Sequence, residues 1–317
     1  MKVLRTPEYS FGIAPRERSV KQLLASAVVP VDKPPGPSSH EVSSIVRKML
    51  SIPKTGHSGT LDPDVSGVLP VLLGSACKVA KLLLSSKKEY VCVMRLGEAL
   101  SKEKLEEVLD AQRGEIYQTP PLASAVKKAL RTRKVYELEL LEDGGQFVLF
   151  RARVQAGTYI RTMCRDIGLI SGVGAEMAEL RRTRAAGIME SKAVTLQELA
   201  DRYWLWNEHA NEAPLREILL PLEECVHIKR IVIDDRSIHY ICTGCDGIID
   251  NITEYDERIR AGETVGVYSG KGELLCIVHA RVEASEFESN DGPLFSVKRV
   301  VIDEKSLATA ARPEKRL

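Results

Sequence analysis

A single carboxylate in a glycine-punctuated loop is where the chain could do chemistry. Asp62 stands directly before Pro63 in Gly56-His57-Ser58-Gly59-Thr60-Leu61-Asp62-Pro63. The residue before a proline is pushed out of the α region, so Asp62 is expected in a turned or extended backbone. Gly56, Gly59 and Gly67 permit close approach of another chain or a ligand. Such a loop can present a carboxylate at a cleft rim, where functional residues concentrate. Standing alone, an Asp-Pro pair reads as an Asx-type turn with a solvated aspartate. A second chemical signal is cationic. Lys127, Lys128, Arg131, Arg133 and Lys134 place five cations within eight residues. In isolation that run is as readily a solvated face as a contact for nucleic acid.

The elements that must position these groups can be read from apolar periodicity. Val29 to Val31 form a short apolar strand that runs into Lys33-Pro34-Pro35-Gly36-Pro37-Ser38-Ser39. Ser38 and Glu41 make a capping box, and Val42, Ile45, Val46, Met49 and Leu50 give the stripe of a helix. After the Asp loop comes an apolar run, Val68 to Leu73, then a short helix over Lys78 to Leu84 and a strand over Glu89 to Leu96. Leu105 to Leu109 reads as helical. The two prolines of Gln118 to Val126 exclude a central helix there. Tyr136 to Leu141 and Phe147 to Ala156 read as strands joined by the Asp143-Gly144-Gly145 turn. Gly157-Thr158-Tyr159-Ile160-Arg161 opens a helix reaching about Ile170, and further helices are expected over Ala175 to Arg182 and Leu196 to Trp206. After about residue 222 short strands with glycine turns predominate, which reads as a small β-rich domain. Residues 1 to 24, taken alone, read as a polar, basic, solvated extension.

Composition sets the outer bounds. With 317 residues the chain has room for two domains. A 44% hydrophobic and 28% charged composition is that of an ordinary globular protein. A formal net charge of +1 means that nucleic-acid binding must come from a local basic face. No apolar stretch approaches a membrane span. The start, Met1-Lys2-Val3-Leu4-Arg5, lacks the apolar core of a signal peptide, so a cytoplasmic location is expected. Seven scattered cysteines then read as reduced thiols without disulfides. The lone Cys242-Thr243-Gly244-Cys245 lacks the second ligand pair of a structural zinc site, and no metal is expected.

Taken in order, the motifs resemble a known family. Lys33 to Ser39, Gly56 to Pro63, Lys88-Glu89-Tyr90 and Gly157 to Arg161 follow the order seen in TruB-type pseudouridine synthases. Gly114 to Pro121, Ser124 to Lys128 and Leu130 to Tyr136 look like the dyskerin branch, the archaeal catalytic subunit of box H/ACA ribonucleoproteins. The resemblance covers roughly residues 22 to 282. It implies an α+β fold: a catalytic domain with a mixed or antiparallel sheet over 25–222, and a β-rich PUA domain over 223–304. It also implies that the extension 1–24 packs on the PUA domain, leaving 305–317 as a polar tail.

The resemblance assigns roles as well. Asp62 would be the catalytic carboxylate. The reaction breaks the bond from C1′ to N1 of uridine and joins C1′ to C5, so neither a redox partner nor a group donor is needed and no cofactor is expected. One carboxylate can act as nucleophile, whereas hydrolytic glycosidases usually need two. Tyr90 would lie against the target base, and Arg161 would pair with Asp62 and orient it. Leu180 would pack on the base, with His57 and Lys33 as further substrate contacts. A uridine within structured RNA must be extruded to reach such a pocket. Lys127, Lys128, Arg131, Arg133 and Lys134 would grip RNA phosphates, and Gly244 would belong to the RNA-binding face of the PUA domain. The implied partners are guide RNA, target RNA and small accessory proteins, with no membrane. Where the family has Arg-x-x-Arg-x-x-Gly-Pro-Phe, this chain runs Arg181-Arg182-Thr183-Arg184-Ala185-Ala186-Gly187-Ile188. The lysine-rich tails of eukaryotic dyskerins do not appear, which points to an archaeal protein. A stand-alone enzyme for one tRNA uridine and a non-catalytic RNA scaffold are the alternatives. The scaffold reading is disfavoured by the joint presence of Asp62, Tyr90 and Arg161.

Overall fold

The computed structural model of the protein describes residues 1–120 and 127–302. In chain order, β1 (Lys2–Val3), α1 (Val20–Ala25), β2 (Ala27–Lys33), α2 (Ser39–Met49), β3 (Thr55–His57) and β4 (Ser66–Leu73) surround the Asp loop. There follow α3 (Ala80–Leu84), β5 (Lys88–Leu96), α4 (Lys102–Asp110), β6 (Gly114–Gln118), β7 (Arg131–Gly144), β8 (Phe147–Val154), α5 (Ile160–Ser171) and β9 (Ala175–Ala185). The chain continues through β10 (Ile188–Met189), α6 (Leu196–His209), α7 (Glu212–Ile218), β11 (Leu220–Pro221) and α8 (Leu222–Cys225). The last part holds β12 (Arg230–Ile233), α9 (Asp235–Cys242), β13 (Ile252–Tyr255), β14 (Thr264–Tyr268), β15 (Leu274–Ala280) and β16 (Phe295–Val300).

Two sheets organise the molecule. The larger runs β11-β2-β4-β9-β5-β8-β7-β6, with β3 paired to β4 and β10 to β9. It is mixed: β4 and β9 are parallel, while the other pairings are antiparallel. One core gathers Val29, Val31, Leu69 and Val71 of the strands under Val42 and Val46 of α2 and Leu199 of α6. A second packs Cys92, Met94, Phe150 and Ala152 against Met163 and Ile167 of α5 and Leu105 of α4. Helix α2 begins where its capping box dictates. Ser38 accepts from the Glu41 N–H, and Glu41 Oε2 takes the Ser38 N–H at 2.7 Å.

The segment 175–182, expected as a helix, is instead part of β9, between β4 and β5. Its Ala, Glu, Met and Leu content favours a helix, but a place inside a sheet overrides intrinsic preference. The misleading signal was the three-residue spacing of Met177 and Leu180, both packed on the second core. A register shift opposite Val93 and Met94 inserts an extra residue there, which returns both side chains to one face. The reversal at Ala186-Gly187, with φ of 52° and 77°, then brings Ile188 back against Ala185. These two φ values fit a tight hairpin turn.

The second sheet, β1-β13-β12-β14-β15-β16, has its own core around Ile231, Val265, Leu275 and Phe295. The N-terminal extension lies on it rather than in solvent. β1 pairs with β13, Phe11 enters the core, and Asp235 accepts the backbone N–H groups of Ser10 and Phe11 at 2.6 and 2.8 Å. Buried Arg18 forks onto Glu223 at 3.0 and 2.9 Å and also reaches Glu273. That guanidinium ties the extension to both sheets' domains. An apolar cluster joins the domains further: Val28, Val68 and Leu72 from one meet Tyr268, Leu274 and Ile277 from the other.

Candidate active site

The loop carrying Asp62 is held from below. Ser39, the first residue of α2, accepts the Leu61 N–H at 2.8 Å and donates to the Leu61 carbonyl at 3.0 Å. Lys33, at the end of β2, is fully buried. Its ammonium donates to the carbonyls of Pro34, Pro63 and Val65 at 2.8, 3.0 and 2.8 Å. Lys33 was expected to touch substrate; the structure places it buried beneath the loop, where it fastens the stretch that follows Asp62. Burial lowers its pKa, with the charges of Asp64 and Asp62 opposing that trend. Asp62 itself opens a turn closed by the Val65 N–H on its carbonyl at 3.1 Å. Aspartate first and proline second is a favoured start for such a turn.

Arg182 is the second buried cation. It is 1% exposed, and it donates to Val68 O at 2.8 Å and to Gly59 O at 3.1 Å. Burial holds its pKa below the ordinary value, while the hydrogen-bonding neighbour Tyr90 acts in the opposite direction. Gly67 explains how β9 comes this close. Its φ is 108°, and a Cβ there would lie 2.2 Å from the Arg182 carbonyl oxygen. Lys88 is buried nearby, donating to Ser86 O at 2.7 Å, and burial together with Arg182 lowers its pKa to about 8.

Above this floor the groups are exposed. Arg161, near the start of α5, places Nη2 3.0 Å from Asp62 Oδ2 and 3.3 Å from Asp64 Oδ2. The side chains of Arg161 and Asp62 are 40% and 53% exposed, so their ion pair adds little stability and serves mainly to orient. Gln118 fixes the approach to α5: it donates to Tyr159 O at 3.1 Å and accepts the Tyr159 N–H at 3.0 Å. Tyr90 on β5 lies opposite Arg182 on one side and Ala152 on the other. Leu180 lies opposite Cys92, and both Tyr90 and Leu180 pack on the second core's edge. His57 ends β3, and burial lowers its pKa, aided by Arg182 and His40. The arrangement offers two solvent-facing carboxylates, Asp62 and Asp64, held by one arginine. That suits attack on, or assisted cleavage at, a sugar or base presented from outside. Among the described residues, no group of three or more His, Cys, Asp or Glu side chains is placed to hold a metal ion. The seven cysteines are free thiols.

Comparison with known proteins gives the family. The model for the TruB family pseudouridylate synthase N-terminal domain matches residues 47–160. The tRNA pseudouridylate synthase B C-terminal domain matches 161–227. A probable tRNA pseudouridine synthase B of Methanothermobacter thermautotrophicus is 44% identical over 300 residues, covering 94% of this chain and 93% of its own. One from Archaeoglobus fulgidus is 43% identical, covering 93% and 91%. The chain belongs to the TruB family of pseudouridine synthases.

Two further models flank the synthase, a DKCLD domain at 2–43 and a PUA domain at 229–295. A solved Cbf5-Nop10-Gar1 complex superposes with a TM-score of 0.89 at 39% identity, covering 98% of this chain and 94% of its counterpart. An H/ACA RNP bound to a substrate RNA containing 2′-deoxyuridine gives 0.87 at 38%, covering 96% and 93%. The chain is thus an enzyme of α+β architecture, a TruB-type synthase joined to a PUA domain. Among the described residues no helix is long and apolar enough to cross a membrane.

The cationic run of this synthase is divided. Arg131, Arg133 and Lys134 begin β7, pairing with β6, while exposed Lys127 and Lys128 precede the strand. Arg131 donates to the Lys127 carbonyl at 2.6 Å, and Lys134 lies 5.8 Å from the Tyr136 ring centre. Pro121 to Val126, part of the stretch excluded from a central helix, lie outside the described residues, as does the tail from 303. Gly244 sits after α9 at a φ of 101°, with open space where a Cβ would point. Sequence reasoning missed three supports: Arg182, Ser39 in its anchoring role, and Gln118. Ser39 and Gln118 lay within recognised motifs, but nothing in those strings says which atoms they bind.

Proposed function

We propose that this synthase is the catalytic subunit of an H/ACA ribonucleoprotein and isomerises uridine to pseudouridine in rRNA, and in tRNA, at sites chosen by a guide RNA. The match to the Cbf5-Nop10-Gar1 complex over nearly the whole chain carries this reading. The DKCLD match over the segment that packs onto the second sheet supports it. Partners would be guide RNA, target RNA and small accessory proteins, and the location cytoplasmic. PUA-bound guide RNA would leave target choice to base pairing.

In this reading Asp62 is the reacting carboxylate. The C1′–N1 bond breaks, the base turns, C5 bonds to C1′, and the proton on C5 leaves while N1 gains one. Arg161 orients Asp62, Tyr90 and Leu180 receive the base, and His57 contacts the RNA. The cations from Lys127 to Lys134 and the PUA face around Gly244 hold the RNA backbone. A second reading, a stand-alone tRNA enzyme, is favoured by the names of the relatives in Methanothermobacter and Archaeoglobus. Pseudouridine formation on a target RNA, measured with and without its guide and beside free tRNA, separates the two. Turnover that requires the guide is expected. Full activity on free tRNA, with none added by a guide, would overturn the guided assignment.

A further inference from the structure

A recess beside the Asp loop is lined, apart from His57, by groups that the chemistry above leaves unused. His40, Ser43, Ser44 and Arg47 fall at i, i+3, i+4 and i+7 of α2, one face of a helix. Val42 and Val46 bury a different face in the core, which fixes the polar stripe against β3. With Thr55, Gly56 and His57 it encloses about 360 Å³. Ser43 Oγ lies 3.1 Å from Thr55 Oγ1, which also donates to the Ser43 carbonyl at 2.8 Å, so helix and strand are tied together. The lining carries Arg47 and two histidines and no carboxylate. His57 Nδ1 is enclosed without a hydrogen-bond partner among the described residues. Ser39, the residue before His40, is hydrogen-bonded to both the N–H and the carbonyl of Leu61, the residue before Asp62, so the recess adjoins the Asp loop.

Resting on the RNA-isomerase reading, we propose that this recess binds a backbone phosphate of the target strand next to the extruded uridine. Arg47 supplies the charge, and Ser44 and His40 supply hydrogen bonds, with His57 closing the wall. A guanidinium with hydroxyl and imidazole groups matches phosphate oxygens. The absence of carboxylates in the lining disfavours a hard cation, which needs anionic oxygens. The volume falls in the range that holds a small organic group, enough for a phosphate with its sugar. Nearness to Asp62 selects the target strand over the guide, because the reacting uridine must sit at Asp62. Phosphate contacts of this kind fix register rather than read sequence.

The test uses target RNAs that each carry one neutral methylphosphonate around the target uridine, bound to the full chain assembled with guide RNA. Wild-type protein should lose on the order of tenfold affinity at one position, as a lost charge-assisted contact does. Arg47→Gln should weaken the unmodified target by a similar factor and be insensitive to that position. Its salt slope should fall by about 0.7. Lys48→Gln, an exposed neighbour off this face, should keep the wild-type pattern. If Arg47→Gln retains the full penalty at every position, the recess holds no target phosphate. If its loss instead tracks guide-strand phosphates, the assignment to the target is wrong. The scan is read from binding, so it decides the recess even if turnover proves independent of the guide. Guide-independent turnover would sink the functional reading alone.

Discussion

The top and the floor of the active site are built on opposite electrostatic terms. On top, Asp62, Asp64 and Arg161 are solvent-facing charges in direct ion pairs. Beneath, Lys33 and Arg182 are buried cations that donate to backbone carbonyls, three for Lys33 and two for Arg182, with Tyr90 as a further neighbour of Arg182. Exposed pairs contribute little to stability, and a buried charge stripped of its hydrogen bonds is expensive. The Asp62 carboxylate therefore stays accessible, while the loop that carries it is held by groups that water does not reach. Carbonyl partners suit that task, because they pin the chain itself.

Substitutions across the two layers sharpen that contrast. The largest effect should come from Asp62→Asn, which keeps shape but removes charge and nucleophilicity. Pseudouridine formation should fall by at least roughly a thousandfold, with thermal stability and RNA binding nearly intact. Near-normal turnover in this variant would remove Asp62 from the chemistry. Arg182→Met should do the reverse first. It leaves Gly59 O and Val68 O unpaired in the interior, at about 1–3 kcal/mol each, so chemical denaturation should show a loss of about 3 kcal/mol. A loss under about 1 kcal/mol would mean that the floor is not holding the loop.

A smaller effect is a pH dependence. The folded pKa of Lys88 is about 8, below its ordinary 10.5. Between those values the unfolded chain binds a proton that the folded chain does not, so stability rises with pH across that window. The rise should be on the order of 1 kcal/mol in wild type and absent in Lys88→Met, as read from denaturation midpoints at pH 7.5 and pH 9.5. Equal slopes in both proteins would rule out Lys88 as its source. The smallest effect should follow Asp64→Asn. Its ion pair is exposed, so stability should change by less than about 0.5 kcal/mol. Turnover should change by only a few fold, since Asp62 keeps Arg161. A collapse of activity comparable to that of Asp62→Asn would make the two carboxylates a catalytic pair.

Local rules carried much of the fold to the page. The Ser38 and Glu41 cap, the stripe of α2, the turn opened by Asp62 before Pro63 and the change to short strands after residue 222 are all written in neighbouring residues. Asp62 stood out as a candidate for the same reason, since a proline and three glycines shape its surroundings within a dozen positions. Local rules failed at β9, where a bulge imitates helical spacing and only pairing with β4 and β5 decides the strand. They failed again at the floor. Lys33 and Arg182 lie far apart in sequence, and a basic side chain read alone is a surface or substrate group. Only the packing of β2, β4 and β9 turns both inward onto carbonyls in and around the Asp loop. Hydrogen-bond partners of buried groups are set by which strands become neighbours, and that is a property of the whole sheet.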